Sequence, residues 1–199
     1  VKVSWEVEFG QPSKTLLEVV KSQSLDLIVM GSHGASGLRE YFIGSNAEKV
    51  IRISPVPVLI AKDYFKGPIS NIVFPNTLET ENQGELVAKV KALQAFFNAQ
   101  LHVVWINTPI NFVSDVITRQ RLEIFAKRFS LKDYSLHIFN HPNEEDGIIH
   151  FTEFIKGDII AMGTHGRRGF THLINGSVAE DVANHTDSMI WTYTMNAEL

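Results

Sequence analysis

The segment DLIVMGSHG, residues 26–34, is followed after nine residues by GSN, residues 44–46, and the same frame returns as DIIAMGTHG at 158–166 and GSV at 176–178. In each copy an apolar run typical of a buried strand leads into a glycine-rich turn, and a stretch of helical pattern follows. Glycines let backbone N–H groups approach an anion, and the dipole of the following helix favours negative charge there. The repeat therefore predicts two phosphate-binding turns in a duplicated domain.

Strand and helix patterns alternate along the chain. We expect strands near residues 1–10, 26–30, 55–61, 69–74, 101–106, 134–139, 158–162 and 188–194. We expect helices from residue 12 to about residue 24, at 46–53, 83–99 and 113–129, after a capping Asn143, and at 178–184. In the helix at 83–99 the residues predicted to face the core are Leu86, Val87, Val90, Leu93, Phe96 and Phe97. The alternation predicts an α/β fold with an open, doubly wound parallel sheet.

The two copies of the frame are unequally complete. Residues 1–63 hold the patterns of only three strands and are expected to be the C-terminal part of a first domain, followed by a linker at 64–68. Residues 69–199 are expected to form a complete second domain with five strands. The predicted strand at 1–10 would lack a neighbour in its own sheet, so we expect an upstream segment or another chain to complete the first copy.

Composition excludes several classes of protein. Apolar residues make up 44% and charged residues 20% of the 199 residues, as in globular proteins, and cysteine is absent, so no disulfide or thiolate metal site can form. The net charge of −4 gives no general attraction to nucleic acid or to an anionic membrane. We expect a cytoplasmic protein without nucleic-acid or membrane partners.

The long, duplicated spacing of the frame, Gly-x2-Gly-x9-Gly-Ser after an Asp-(Leu/Ile)-Ile-(Val/Ala)-Met strand, resembles the universal stress protein family over the whole chain. The resemblance implies a fold like that of the adenine nucleotide alpha hydrolases, with a five-stranded parallel sheet in the order 3-2-1-4-5, present here in tandem with the first copy partial. It also implies ATP or another adenine nucleotide, with or without Mg²⁺, at the carboxyl ends of strands 1 and 4. Finally, it implies that the two copies, or two chains, pair through their last strands.

The resemblance also suggests which residues bind the nucleotide. In the second copy these are Pro75 and Thr77 after strand 1, Ile106 at the end of strand 2, Met162, Gly163 and Gly166 on the ribose and phosphate side, and Gly176, Ser177 and Val178 at the phosphates. In the first copy they are Met30, Gly31, Gly34, Gly44, Ser45 and Asn46.

One position departs from the family pattern. The family has Pro-x-Asp after strand 1, whereas this chain has Pro75, Asn76 and Thr77. A threonine hydroxyl accepts a hydrogen bond without the charge of a carboxylate, and the lost charge lowers affinity by about one to two decades. We therefore expect the second site to be weakened.

Some residues of the frame also fit purely structural roles. Ser45 with Glu48, and Ser177 with Glu180, have the spacing of capping boxes, but capping leaves the repeated glycines unexplained. His33 and His165 occupy equivalent positions without a second ligand at metal-binding spacing. Arginines and a histidine in the nine-residue loops reach either a triphosphate or solvent: Arg39, Arg167, Arg168 and His172.

The sequence contains neither a P-loop lysine motif nor a Gly-x-Ser-x-Gly elbow, so no catalytic residues are assigned. A stress-response protein that holds adenine nucleotide with little turnover is the predicted function. Two alternatives stay open: a degenerate interaction or dimerisation module, and a slow ATPase or autophosphorylating enzyme.

Overall fold

The computed structural model describes residues 2–32, 44–62, 67–79, 81–165 and 177–195, without the side chains of His165, Ser177 and Glu180. The strands are β1 (Ile28–Gly31), β2 (Val58–Ala61), β3 (Asn71–Pro75), β4 (Gln100–Asn107), β5 (Tyr134–Asn140), β6 (Ile159–His165) and β7 (Met189–Met195). The helices are α1 (Pro12–Gln23), α2 (Ser45–Ile53), α3 (Gly84–Phe97), α4 (Asp115–Arg128), α5 (Glu144–Ile155) and α6 (Ser177–His185). The predicted α/β fold is confirmed.

All seven strands belong to one sheet, in the order β1-β2-β7-β6-β3-β4-β5. The five strands from β3 to β7 are parallel to one another, and their spatial order corresponds to 3-2-1-4-5. Helices α3 and α4 cover one face of the sheet, and α1, α2, α5 and α6 cover the other. This is the layered arrangement that buries both faces of a parallel sheet.

Burial on both faces explains why the central strands have continuous apolar runs. Ile159 and Ile160 are both fully buried in β6, yet Ile159 packs into the core with α3 and α4 and Ile160 into the opposite core. Strand β4 does the same with Val103 and Val104. A strand with one solvated face would alternate apolar and polar residues instead.

Asp158 joins the amino ends of the central strands. Its Oδ2 accepts hydrogen bonds from the backbone N–H groups of Ser70 and Asn71, at 2.7 and 2.8 Å, just before and at the start of β3. The backbone of Asp158 also donates to Asn71 O at 2.9 Å and accepts from Met189 N at 3.1 Å. Strands β3, β6 and β7 therefore start at a common level, which places their carboxyl ends together at the opposite edge.

Two local expectations have different outcomes. The predicted cap of α5 is confirmed, because Asn143 Oδ1 accepts a hydrogen bond from Asp146 N at 2.8 Å. The inward orientation predicted for Phe96 is wrong: its side chain is 78% exposed and packs edge-on against Phe97. The last turn of α3 lies at the rim of the layer, so only Phe97 reaches the core.

Strands β1 and β2 join the five parallel strands through the pairing of β2 with β7. Strands β2 and β7 pair antiparallel, with Val58 opposite Thr192, Leu59 opposite Trp191, and Ile60 opposite Ile190. All of these side chains are buried. Since β2 has β1 on its other side and β7 has β6, neither last strand presents a free edge.

The strand predicted at residues 1–10 is wrong. Residues 2–9 form neither helix nor strand, and Val3, Trp5, Val7 and Phe9 are each at least 74% exposed. In the described part of the chain β1 pairs only with β2, so no strand is available to satisfy the backbone hydrogen bonds of residues 2–9.

Among all the residues that the structure describes, no helix is long and apolar enough to cross a membrane.

The pairing of β2 with β7 predicts a disulfide within one chain. In the double variant Val58→Cys and Thr192→Cys, the two cysteines are direct cross-strand neighbours, and the parent chain has no competing thiol. We expect oxidation to consume both thiols in a monomer, as shown by thiol titration and non-reducing electrophoresis.

The control is Val29→Cys with Thr192→Cys. Val29 lies in β1, two strands from β7, so the two Cα atoms are about 10 Å apart and exceed the span of a disulfide. Crosslinked dimers from the Val58 and Thr192 pair, without an intrachain bond, would contradict the observed pairing.

Candidate functional site

The candidate site lies at the carboxyl ends of β3, β4 and β6. Strands β3 and β6 are neighbours in the centre of the sheet, but the chain leaves β3 through α3 on one face and leaves β6 towards α6 on the other. The diverging connections leave a crevice between the two strand ends. Open α/β sheets bind ligands at this switch point.

The turn after β3 is held by Asn76. Its backbone N–H donates to Val104 O at 3.1 Å, its Oδ1 accepts from Leu78 N at 2.7 Å, and its Nδ2 donates to Gln83 Oε1 at 2.7 Å. Leu78 is buried with a φ of 60°, so the chain reverses sharply at this point. This turn leaves Thr77 exposed at the rim of the crevice.

A small hollow opens between this turn and the end of β4. Its volume is about 50 Å³, and it is lined by residues 75–77, residues 104–106, Asn111 and Glu144. Three residues assigned by the family resemblance, Pro75, Thr77 and Ile106, therefore meet around one space. A hollow of this size accommodates one edge of a ring rather than a whole nucleotide.

Two polar side chains near the end of β4 lack hydrogen-bond partners within the described structure: Glu144, which lines the hollow, and Trp105, whose ring packs against the core with α3 and α4. The indole Nε1 of Trp105 is buried without an acceptor. No hydrogen bond or ion pair joins the half-buried Glu144 carboxyl to another described side chain or backbone group. Burial, together with the negative charge of Glu145, raises the pKa of Glu144. Unpaired groups of this kind are costly, and they are rare in native proteins outside sites that bind water or a ligand.

The other residues that the family resemblance assigns to the second site lie in different surroundings. Met162 is buried in the core beneath α5 and α6, and the side chain of Val178 packs partly against the same core. A Cβ on Gly163 would lie 2.7 Å from Leu86 Cδ2, so this glycine also has a packing role. Gly166 and Gly176 lie outside the described residues, as does the side chain of Ser177.

In the first copy the ends of the glycine-rich loop are tied together. Gly44 N donates to Ser32 O, and Ser32 N donates to Ala61 O, both at 3.0 Å, which places the start of α2 at the carboxyl end of β1. Gly34 and His33 lie outside the described residues. Strands equivalent to β3 and β4 are absent from the described first copy, so it has no counterpart of the hollow.

The capping-box interpretation of Ser45 and Glu48 is wrong. The N-cap of α2 is Gly44, and Ser45 is the first helical residue, one position too late to be the cap. Glu48 instead pairs with Arg52, at 2.9 Å between Oε1 and Nη2. Ser45 and Asn46 are exposed at the helix start, as the phosphate-site interpretation requires.

A second cluster of titratable side chains lies nearer the amino ends of the strands. His102 Nε2 contacts Asn71 Oδ1 at 3.0 Å, and Ser135 Oγ lies 2.9 Å from both His102 Nδ1 and His137 Nε2. Burial lowers the pKa of both histidines, and for His102 the proximity of His137 adds to this effect. The cluster is internally hydrogen-bonded and does not line the hollow.

Sequence reasoning missed Trp105, Asn111 and Glu144 as site residues. Trp105 sits within an apolar strand pattern, and Glu144 resembles an ordinary acid in the first turn of a helix. All three residues line the hollow. The hollow forms where α5 crosses the sheet near the end of β4. No local pattern encodes that crossing.

Comparisons with known proteins point to one family. The profile of the universal stress protein family matches residues 1–62 and 71–193. A universal stress protein of Methanocaldococcus jannaschii is 38% identical over 61 residues, which are 31% of this chain and 38% of that protein. YxiE of Bacillus subtilis is 43% identical over 53 residues, 27% of this chain and 36% of that protein.

A longer match extends over most of the chain. A universal stress protein of Synechocystis sp. strain PCC 6803 is 22% identical over 169 residues, 84% of this chain and 58% of that protein. The chain therefore spans less than two thirds of the length of each of these relatives.

Solved structures share the fold. A universal stress protein from Archaeoglobus fulgidus superposes with a TM-score of 0.68 and 21% identity, over 95% of this chain and 67% of that one. A universal stress protein in complex with cAMP superposes with a TM-score of 0.51 and 17% identity, over 65% of this chain and all of that one. Since the family profile covers nearly the whole sequence, this chain belongs to the universal stress protein family.

Proposed function

We propose that this chain binds ATP or another adenine nucleotide at the carboxyl ends of β3, β4 and β6, and that it holds the nucleotide with little turnover. The observation that carries the proposal is the hollow between the Asn76 turn and the end of β4, at the switch point of the sheet. The unpaired Glu144 carboxyl in this hollow offers an acceptor to a ligand. Adenine presents an amino donor along its edge.

The phosphates would lie towards the second glycine frame. Helix α6 begins at Ser177, at the end of the frame, so its first N–H groups are candidates to receive an anion. Gly163, Gly166, Gly176 and Val178 complete the proposed phosphate end. A protein of the same fold is described in complex with cAMP, an adenine nucleotide, which supports this assignment.

The nucleotide site is assigned to the second copy. In the first copy Gly31, Gly44, Ser45 and Asn46 provide a phosphate end, but a base end needs strands equivalent to β3 and β4. Nucleotide would serve as a stabilising ligand or signal, because a ligand that binds only the folded state raises its stability. Mg²⁺ would accompany the phosphates, and we place the protein in the cytoplasm.

A second candidate function applies to the first copy. Among the described residues, strand β1 is the last strand of the sheet, and Val29 in it is 61% exposed. An unpaired edge offers backbone groups to another strand, so this end of the molecule suits a docking or assembly role. That role is compatible with nucleotide binding in the second copy.

Titration calorimetry with Mg-ATP tests the proposed function. The parent chain is expected to bind, and Thr77→Asp is expected to bind about tenfold more tightly, because a charge-assisted hydrogen bond to the nucleoside replaces a neutral one. Thr77 is exposed, so the substitution buries no charge.

Asn82→Asp is the matched control. It adds the same charge five residues along the loop, at an exposed position outside the hollow, and aspartate tolerates the φ of 59° there. Its affinity for Mg-ATP should equal that of the parent. Absence of ATP binding in the parent and in Thr77→Asp would refute the proposed function.

A further inference from the structure

Glu144 is placed where an ordinary surface acid would not be. It is the first residue of α5, yet its side chain is half buried and lines the hollow next to residues 75–77 and 104–106. Neither a cation nor a hydrogen-bond donor pairs with its carboxyl within the described structure. The next residue, Glu145, adds a second negative charge.

This placement costs stability. A carboxylate that is partly removed from water without a partner loses solvation, which is why the pKa of Glu144 is raised. The positive end of the α5 dipole offsets part of this cost. An acid in the first turn of a helix obtains that benefit at an exposed position as well. The half-buried position of Glu144 therefore lowers the stability of the unliganded fold.

A donor from a ligand would remove the cost. The hollow beside this carboxyl is also lined by residues 75–77 and 104–106. An unpaired acceptor beside a space that fits a ring edge matches the amino edge of adenine. Adenine carries an exocyclic amino group beside ring nitrogens that accept hydrogen bonds.

We propose that Glu144 recognises the base of the bound nucleotide: its carboxylate accepts a hydrogen bond from the exocyclic amino group of adenine. This assignment rests on the proposed nucleotide binding. It makes Glu144 a specificity residue, because hypoxanthine replaces the amino group by a carbonyl oxygen, and that oxygen would face a carboxylate.

The unliganded chain provides a first test. Because the folded state raises the pKa of Glu144, the carboxylate loses stability as pH rises through that pKa, whereas glutamine does not titrate. Glu144→Gln should therefore raise the melting temperature at pH 8, and the gain should shrink at pH 5, where the folded carboxyl is partly neutral. A melting temperature lowered equally at both pH values would mean that the carboxylate already has a favourable partner, and the proposal would fail.

The decisive test compares Mg-ATP with Mg-ITP by titration calorimetry. The parent chain is expected to prefer ATP by at least about tenfold, the worth of a charge-assisted hydrogen bond. Glu144→Gln should reduce the preference to about twofold or less, because its amide can donate to the hypoxanthine oxygen as well as accept from adenine. Glu145→Gln removes the same charge one residue away, outside the hollow, and should keep the parent preference.

The outcomes separate the two proposals. ATP binding with an ATP-to-ITP ratio that is the same in the parent and in Glu144→Gln overturns the role of Glu144 and leaves nucleotide binding intact. Equal affinities for ATP and ITP in the parent also overturn it. Failure of the parent to bind either nucleotide overturns both proposals.

Discussion

The architecture depends on the hydrogen bonds that Asp158 makes at the amino ends of the central strands. Its carboxylate and backbone bind Ser70, Asn71 and Met189 and so align the starts of β3, β6 and β7. Carboxylate oxygens that accept backbone N–H groups form strong, short bonds, here 2.7 and 2.8 Å. With the strands anchored at one end, their connections diverge at the other, and the crevice that holds the candidate site follows from that divergence.

Much of this fold was predictable from local patterns. The strand and helix positions agree with the sequence expectations to within about three residues, apart from residues 1–10, because continuous apolar runs and helical spacing are strong signals. Residues 1–10 alternate as a strand should, but a strand also needs a neighbour, and the alternation of Val3, Trp5, Val7 and Phe9 carries no information about one. Ser45 shows a similar limit: the capping-box spacing is present, but α2 begins one residue earlier than that motif requires.

The candidate site was only half predictable. The glycine frame and the turn at residues 75–77 are each one short stretch of sequence, so the family resemblance locates both. Glu144 comes from the start of an inter-strand helix, and it reaches the hollow only because α5 crosses the sheet near the end of β4. If Glu144 recognises the base, it supplies a carboxylate to a site that lacks the family's aspartate at Thr77, and it does so from a different element of the fold.

The central claim is that a nucleotide base enters the hollow beside Trp105, and the indole N–H signals in a ¹H–¹⁵N NMR spectrum test it most directly. The chain has three tryptophans: Trp5 is exposed, Trp191 is buried between the copies, and Trp105 lines the hollow. Saturating Mg-ATP is expected to change the chemical shift of the Trp105 indole signal, because a base bound beside residues 104–106 adds its ring current there, and to leave the signals of Trp5 and Trp191 in place. An unchanged Trp105 signal at saturating Mg-ATP would contradict the account.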